Sequence, residues 1–438
     1  MPLPLPRLRA WVKNCDPARP LDADDPLYVD VDAQAHARGS DHRSCIEQLA
    51  HTIALTEPTA ETCQLFSGFP GSGKTTELRR LAQRLGTDRD VPTTVVSVDF
   101  EEWIDLYAPI TITDVLRVLA YVLDREATLL EGKDPNRGVG YLERLKTFLA
   151  GASLKEAGWD DGVTLLFEFK DNPSFRQRVE VAIQNRFQQF ARDAQQAMAE
   201  AVIRIRAATG RERVVVLVDS LEKLTALRDE DRGGIETSVE KLFFVHSALL
   251  RLPCHVVYTF PFWLSFRRAA LGTSYSFDPV LLPMVKVRDA EGAAWQPGLA
   301  CMREIVHRRI DIGAVFRRPA DLEPLLVASG GYPRELLRMV RELLVQADTI
   351  PVPEEDVTRV IERLTEDYAA VVRSTDLDIL AVVATTRALP VGDGEDIAVF
   401  TRLVNGRLIL AYRNGRRWYD VHPLVLRLPA VRARIDAG

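Results

Sequence analysis

The sequence predicts an α/β protein built on a parallel, doubly wound sheet, followed by an all-helical region and a short mixed region. Up to about residue 290, short apolar strand-like segments alternate with amphipathic helical segments, as in repeated β-α units. The run Val214–Val218 is continuously apolar and ends in Asp219, as expected for a strand buried on both faces. From Gly298 to about Tyr368 the apolar spacing is purely helical.

The first part of the chain leads into this sheet. Residues 1–40 are rich in Pro and Asp, and we expect an extended N-terminal segment that lies on the core. Residues 41–56 predict a helix that Asp41 caps, with one apolar stripe. The stripe consists of Ile46, Leu49, Ile53 and Leu55.

A glycine-rich loop at 68–76 fits the pattern G-x-x-x-x-G-K-[ST]. It lies between a predicted strand, Thr62–Ser67, and a predicted helix, Thr75–Leu85, which is the order of elements that the motif requires. The glycines let backbone N–H groups point at a phosphate, and the helix N-terminus adds its dipole. The sequence therefore predicts a site for ATP or ADP. Its expected binding residues are Gly68, Pro70, Gly71, Ser72, Gly73, Lys74, Thr75 and Thr76.

Two side chains of this loop have specific expected roles. Lys74 would reach the β and γ phosphates, and we expect its amine to face solvent when the site is empty. The Thr75 hydroxyl would ligate Mg²⁺. Together they predict a nucleotide held with its magnesium ion.

The remaining core elements follow from the same alternation. They are strands at 93–100, 213–219, 254–260 and 280–287, and helices at about 112–126 and 234–251. Residues 128–172, with a β-like run at Val163–Phe169, indicate an insertion. Asn172 and Pro173 predict the start of a long helix, 173–208. Its apolar stripe suits either core packing or a partner-binding face.

Two acidic residues follow the third strand. Asp219 ends that strand, where a carboxylate associated with Mg²⁺ is expected. Glu222 comes three residues later and could polarise the water that attacks the γ phosphate. The alternative is that Glu222 only caps the next helix, and the sequence leaves both interpretations open.

Composition excludes several classes of protein. A net charge of −6 over 438 residues is too small for the whole molecule to be an electrostatic nucleic-acid binder. The five cysteines are scattered without a C-x-x-C pair, which argues against a disulfide framework or a zinc site and predicts a cytoplasmic location. No apolar run approaches the ~20 residues that span a bilayer, so we expect no membrane partner.

From about residue 40 to its C-terminus the chain resembles the STAND and AAA+ branch of P-loop ATPases, which includes NLR-type sensors and origin-recognition-type initiators. Asp219-Ser-Leu-Glu222 is similar to the acidic strand motif of NACHT-type members, and departs from the adjacent Asp-Glu pair of many AAA+ proteins. Thr259, at the end of the fourth strand, matches the position called sensor 1, which would contact the γ phosphate or the water. The alternative for Thr259 is an ordinary strand-end threonine.

Ser329–Leu337 resembles the G-x-P-R start of a lid helix. The resemblance implies that Arg334 is a sensor 2 residue that lies over the phosphates, where a guanidinium can make bidentate contact. The alternative is a Gly-Pro helix start with a solvated arginine. Arg267 and Arg268 follow the sensor 1 strand, near where ring-forming members carry an arginine finger, but ordinary surface arginines are the favoured explanation.

Residues 369–438 resemble a winged helix, with Leu408–Tyr412 and Arg417–Val421 predicted as hairpin strands around Asn414-Gly415. The segment 401–438 is rich in arginine, which suits either nucleic-acid binding or docking on the acidic core. His422 resembles the winged-helix histidine of STAND sensors that contacts the ADP β phosphate, and the alternative is a histidine packed at a strand end.

The predicted domains are an extended segment at 1–40, an ATPase core at 41–290, a helical lid at 291–368 and a winged helix at 369–438. We expect a Mg²⁺-dependent ATPase whose nucleotide state controls conformation, self-assembly or a protein partner, as in bacterial defence or signalling. The alternative is a DNA-binding initiator or remodeller. A metabolic kinase fits less well, because lid and winged helix have no role in phosphoryl transfer to small molecules.

Overall fold

The computed structural model describes residues 5–31, 44–134, 140–151, 170–226, 229–275, 277–390 and 394–437. The chain forms two compact units, each discontinuous in sequence. The sheet unit comprises Ile46–Ser67 and Arg80–Val280. The terminal unit comprises Met1–Cys45, Gly68–Arg79 and Leu281–Gly438.

A five-stranded sheet with the order β2-β3-β4-β1-β5 organises the α/β part of the chain. The pairs β1–β4, β2–β3 and β3–β4 are parallel, which confirms the predicted α/β class. The last predicted strand is shorter than expected and ends at Leu282. The strands are β1 Cys63–Gly68, β2 Thr93–Asp99, β3 Arg213–Asp219, β4 His255–Thr259 and β5 Val280–Leu282.

The central strand β3 is buried along its whole length, as its β-branched, apolar sequence predicts. Parallel register places the carboxyl ends of neighbouring strands at one edge of the sheet. Asp99 of β2 stands beside Asp219 of β3, and Thr259 of β4 stands beside Phe66 of β1. Polar side chains at the strand ends are therefore gathered at this edge.

The two long helices Ile112–Leu130 and Phe187–Thr209 pack on each other and against β2, and the second also packs against β3. Ile112–Leu130 begins at a capping box in which Thr111 and Asp114 satisfy each other's backbone N–H groups. The helices between residues 45 and 280 are Cys45–Leu55, Lys74–Thr87, Ile112–Leu130, Gly140–Gly151, Pro173–Gln184, Phe187–Thr209, Asp229–Glu240 and Arg268–Ser274.

The long helix predicted at 173–208 is two helices. It begins as expected, with the Asn172 side chain accepting from the Phe175 N–H and Pro173 in the first turn. It breaks because Arg186 adopts φ −133° and ψ 27°, outside the helical region. The break lets two separate apolar faces be buried, one with Ile183 and one with Phe190. The β-like run 163–169 lies outside the described residues.

The terminal unit is mainly helical and carries one hairpin. Its helices are Leu5–Asn14, Gln296–His307, Ile312–Val315, Glu323–Ala328, Pro333–Gln346, Glu354–Ala369, Leu377–Thr386, Gly394–Asn405 and Pro429–Asp436. One hydrophobic core runs from Trp11 through Leu336 to Val431, so the lid and C-terminal regions share it.

Two details at the start of the chain differ from prediction. The segment expected to be extended contains the helix Leu5–Asn14, because Leu8, Trp11 and Val12 form a helical stripe that packs on the core. The prolines before this stripe obscured it, although proline is tolerated in a first turn. In the helix Cys45–Leu55, Ile46, Leu49 and Ile53 are buried, but Leu55 at the helix end is exposed.

The predicted C-terminal hairpin is present. Its antiparallel strands are β6 Ile409–Asn414 and β7 Arg416–Val421. They turn at Gly415, whose φ of 63° lies in the left-handed region that glycine adopts without strain. Among the helices of the described ranges, none has the length and apolar character needed to span a membrane.

Candidate nucleotide-binding site

The glycine-rich loop connects β1 to the helix Lys74–Thr87, as the motif requires. Gly71 and Gly73 have φ of 82° and 99°, conformations that L side chains rarely adopt. The Ser72 N–H donates to the Phe69 carbonyl at 3.1 Å, which closes the loop into a tight turn. The backbone therefore has the curled form that directs N–H groups at a phosphate.

Close packing also requires glycine in this loop. A Cβ at Gly68 would lie 2.9 Å from both the Leu282 carbonyl oxygen and the Ser72 hydroxyl. A Cβ at Gly71 would lie 2.5 Å from the Tyr332 hydroxyl and 2.8 Å from Arg334 Cδ. The start of the lid helix thus lies directly against the loop.

Lys74 is buried, with 4% of its surface exposed, so the expectation of a solvent-facing amine is wrong for this structure. Its Nζ donates to the carbonyl oxygens of Gly68 and Phe69, both at 3.0 Å. A buried ammonium needs such acceptors, and the loop supplies them from its own backbone. Lys74 therefore stabilises the curled loop.

The acidic end of β3 is strained. Ser220 has φ of 73° although it is not glycine, and such strain persists mainly where function requires it. Asp219 Oδ1 accepts from the Ser220 N–H at 2.8 Å, which orients the carboxylate. Glu222 is buried in the single 3-10 turn Leu221–Lys223. The next α-helix of the described residues is Asp229–Glu240.

Thr259 ends β4 with its side chain fully buried. Its hydroxyl has no hydrogen-bond partner among the described residues. An unmade buried hydrogen bond costs about 1–3 kcal/mol, so such a hydroxyl suits a residue that awaits a ligand.

Sequence reasoning missed the acidic end of β2. Asp99 neighbours Asp219 in the sheet and accepts from the Glu101 N–H at 3.0 Å. Lys223 donates to Glu101 at 2.5 Å, which joins the two strand ends. Burial acts to lower the pKa of Lys223, but the hydrogen bond with Glu101 and nearby carboxylates raise it overall. The signal was available, since β2 ends in Val-Asp as β3 does.

The lid helix Pro333–Gln346 begins beside the loop. Gly331 has φ of 72°, and a Cβ there would lie 1.6 Å from the Val285 carbonyl oxygen, so only glycine fits. Arg334 Nε donates to the Pro17 carbonyl at 3.2 Å, while its Cδ lies near Gly71. The side chain predicted as sensor 2 therefore reaches the loop in this structure.

Tyr332 is a second contact between lid and loop, which sequence reasoning did not single out. Its hydroxyl donates to the Pro70 carbonyl at 2.7 Å. The guanidinium of Arg407 lies 3.5 Å from the same hydroxyl. The tyrosine stands within the G-x-P-R motif, but the motif assigns no role to that position.

The N-terminal segment also contacts the helix that follows the loop. The Leu21 N–H donates to the Thr76 hydroxyl at 3.2 Å. Arg79 forms an ion pair with Asp22 at 3.0 Å. Residues 17–22 therefore link the first turn of that helix with Arg334.

His422 is packed in the terminal unit. Its ring stacks on Tyr368 with centroids 4.6 Å apart, and Nδ1 accepts from the Leu424 N–H at 3.2 Å. Burial, and secondarily the charge of Arg407, lowers the pKa of His422 to about 3. The imidazole is therefore neutral in this form.

The remaining predicted residues can be placed only in part. Arg267 ends a 3-10 helix and Arg268 begins the helix Arg268–Ser274, but their side chains lie outside the described part of the structure. Among the described residues, no group of three or more His, Cys, Asp or Glu side chains is arranged so that it could hold a metal ion. Thr75 offers a hydroxyl and Asp219 a carboxylate, and each is an oxygen donor of the kind that Mg²⁺ takes, because this ion keeps several waters and phosphate oxygens.

No protein-family model and no curated protein matches the chain. Among solved structures, the Walker-type ATPase PABY2304 of Pyrococcus abyssi is 14% identical, with a TM-score of 0.44, over 96% of this chain and 99% of that one. Aeropyrum pernix ORC1, solved in complex with DNA, is 13% identical with a TM-score of 0.36, over 94% and 96% of the two chains. Cdc6p from Pyrobaculum aerophilum is 11% identical with a TM-score of 0.37, over 93% and 98%.

Proposed function

We propose that this chain is a Mg²⁺-dependent ATPase whose nucleotide state acts as a regulatory switch. The observation that carries the proposal is the glycine-rich loop between β1 and the helix Lys74–Thr87, with Gly71 and Gly73 at positive φ. A curled loop between a strand and a helix binds phosphate through its N–H groups. In this loop Lys74 adds a positive charge, and the Thr75 hydroxyl adds a ligand for the metal ion.

Each predicted side chain has a role in this proposal. Lys74 contacts the β and γ phosphates, while Thr75 and Asp219 hold Mg²⁺. Glu222 polarises the attacking water, and Thr259 contacts the γ phosphate or that water. Arg334 contacts the phosphates from the lid, and His422 contacts ADP in a closed form. Bound Mg²⁺ supplies neutralisation of the charge that develops on the phosphate oxygens.

The switch proposal is supported by contacts within the terminal unit. The start of the lid helix contacts the loop through Tyr332 and the C-terminal hairpin through Gly330, whose carbonyl accepts from Tyr412 at 2.6 Å. If ATP and ADP favour different conformations of the phosphate loop, they also change the free energy of the contacts that connect this loop, through the start of the lid helix, with the hairpin. We propose that these changes control assembly or a protein partner in the cytoplasm, where the five buried cysteines, which form no disulfide bond, stay reduced.

The experiment is a measurement of mass in solution and of phosphate release. The purified protein is compared with ADP and Mg²⁺, with a non-hydrolysable ATP analogue and Mg²⁺, and with neither. We expect nucleotide-dependent hydrodynamic behaviour and phosphate release that EDTA abolishes. Phosphate release that persists in EDTA contradicts the metal role, and identical behaviour in all three states contradicts the switch.

A second candidate function, binding of DNA by the C-terminal region, is favoured by one surface. Five arginines of residues 401–438 are exposed: Arg413, Arg416, Arg427, Arg432 and Arg434. Exposed arginines on a hairpin and the following helix can contact a phosphate backbone. Titration of labelled duplex DNA at several salt concentrations tests this. An affinity that falls with salt in wild type and is weakened in Arg413→Ala/Arg416→Ala supports DNA binding.

A further inference from the structure

We infer that Tyr332 is a positioning residue of the nucleotide site, which fixes the Pro70–Gly71 peptide of the phosphate loop and is itself oriented by Arg407. This inference rests on the proposed function. All three contacting groups belong to the terminal unit. The Tyr332 side chain is fully buried, so its hydroxyl has little freedom to seek other partners.

The direction of the hydrogen bonds follows from chemistry. Arg407 can only donate, so the Tyr332 oxygen accepts from it and the tyrosine proton is left for the Pro70 carbonyl. The contact with Pro70 is short, at 2.7 Å. The guanidinium therefore holds the hydroxyl in the orientation in which it binds the loop.

A hydrogen bond that fixes the orientation of the Pro70 carbonyl also fixes the orientation of the Gly71 N–H. The peptide between Pro70 and Gly71 is trans, so its C=O and N–H point in opposite directions. With the carbonyl held by Tyr332, the Gly71 N–H faces away from the lid. In a loop of this kind the inward N–H groups are phosphate donors, so Tyr332 sets one donor before nucleotide arrives.

The backbone at Arg407 supplies an independent observation. The helix Gly394–Asn405 ends in a Schellman motif, with the Leu408 N–H donating to Leu403 and the Arg407 N–H donating to Val404. Arg407 occupies the left-handed position of this motif with φ of 58°, where glycine is usual. A strained non-glycine residue is retained where its side chain is needed, and this side chain reaches Tyr332.

The test is a double-mutant cycle on nucleotide affinity. Tyr332→Phe removes only the hydroxyl, and Arg407→Gly removes the guanidinium while relieving the backbone. We expect Tyr332→Phe to weaken binding of ATP with Mg²⁺ about five- to tenfold, the effect of one hydrogen bond. The double variant should lose no more than Tyr332→Phe alone, because Arg407 acts through the tyrosine.

The matched control is Tyr275→Phe, which removes another buried phenol that donates to a backbone carbonyl, that of Phe243 at 3.0 Å. This control should bind ATP as wild type does. Thermal unfolding without nucleotide is measured in parallel, and Arg407→Gly should unfold no earlier than wild type while binding ATP more weakly.

The outcomes separate two failures. A wild-type protein that binds no ATP overturns the proposed function and this inference with it. If the folded Tyr332→Phe variant binds ATP as tightly as wild type, this inference is overturned and the proposed function is not. Additive losses in the double variant, or equal loss in Tyr275→Phe, also overturn it, since the effect then does not pass from Arg407 through Tyr332.

Discussion

Replacing Lys74 by Ala should open the phosphate loop as well as remove nucleotide binding. In the structure the ammonium satisfies two loop carbonyls at 3.0 Å while almost fully buried. Hydrogen bonds to a charged group contribute about 1.5–3 kcal/mol each, and burial of the charge offsets part of this. We therefore expect the loop to lose about 2 kcal/mol of protection, which is about 30-fold faster local opening.

Hydrogen exchange of the loop amides in nucleotide-free protein measures this opening. The amides of Ser72 and Gly73 should exchange faster in Lys74→Ala, while the buried strand Val214–Val218 keeps its protection. Lys74→Met is the matched control for lost packing, since it keeps the aliphatic stem and lacks the donor. It should exchange nearly as fast as the alanine variant. Calorimetric titration should show at least about 100-fold weaker ATP binding in both.

Two results would refute this reasoning. Unchanged exchange in Lys74→Ala would show that the two carbonyl contacts do not hold the loop. Unchanged ATP affinity would refute the assignment of the phosphate loop itself, because a phosphate-binding lysine cannot be removed without loss of affinity.

Four further predictions concern three other site residues. Glu222→Gln should bind ATP normally but hydrolyse it about 10²- to 10⁴-fold more slowly, and turnover within a few-fold of wild type would assign the water to another residue. Arg334→Ala should lose affinity for ATP more than for ADP in calorimetry, whereas equal losses would indicate a bracing role through Pro17. His422→Ala should release a fluorescent ADP faster in a chase experiment, and an unchanged rate would leave His422 a packing residue. For stability, the lowered pKa of His422 means that the folded protein binds fewer protons than the unfolded chain below pH 6.5, so stability falls from there towards pH 3, and less steeply in His422→Ala.

The sheet could be predicted because local patterns determined it. A continuous apolar run rich in β-branched residues, such as Val214–Val218, is typical of a buried parallel strand. The prediction of one long helix at 173–208 was wrong because the backbone of a single residue, Arg186, leaves the helical region. The spacing of apolar residues alone does not detect such a break. The helix Leu5–Asn14 was missed because its stability comes from packing against the core rather than from helix propensity.

The candidate site was predictable to the extent that its chemistry is carried by contiguous residues. The loop and Asp219-Ser-Leu-Glu222 are read directly from the sequence. Tyr332 and Arg407 could not be identified in this way, because their meeting depends on how the lid and the hairpin pack. The burial of Lys74 was missed for a related reason: a motif gives the liganded role of a residue, not its partners in the empty loop.

The discontinuity of the terminal unit has a consequence for how the protein folds. Pro70 meets Tyr332, a residue 262 positions away along the chain. Contacts of such high sequence separation close slowly, since the entropy of a long loop must be lost first. During synthesis, residues 46–67 and 80–280 can form their unit while residues 68–79 still lack their partners. We therefore expect the amides of the phosphate loop to be among the last to become protected from hydrogen exchange in pulse-labelled refolding. The protein would then bind nucleotide only after the whole chain has been made and folded.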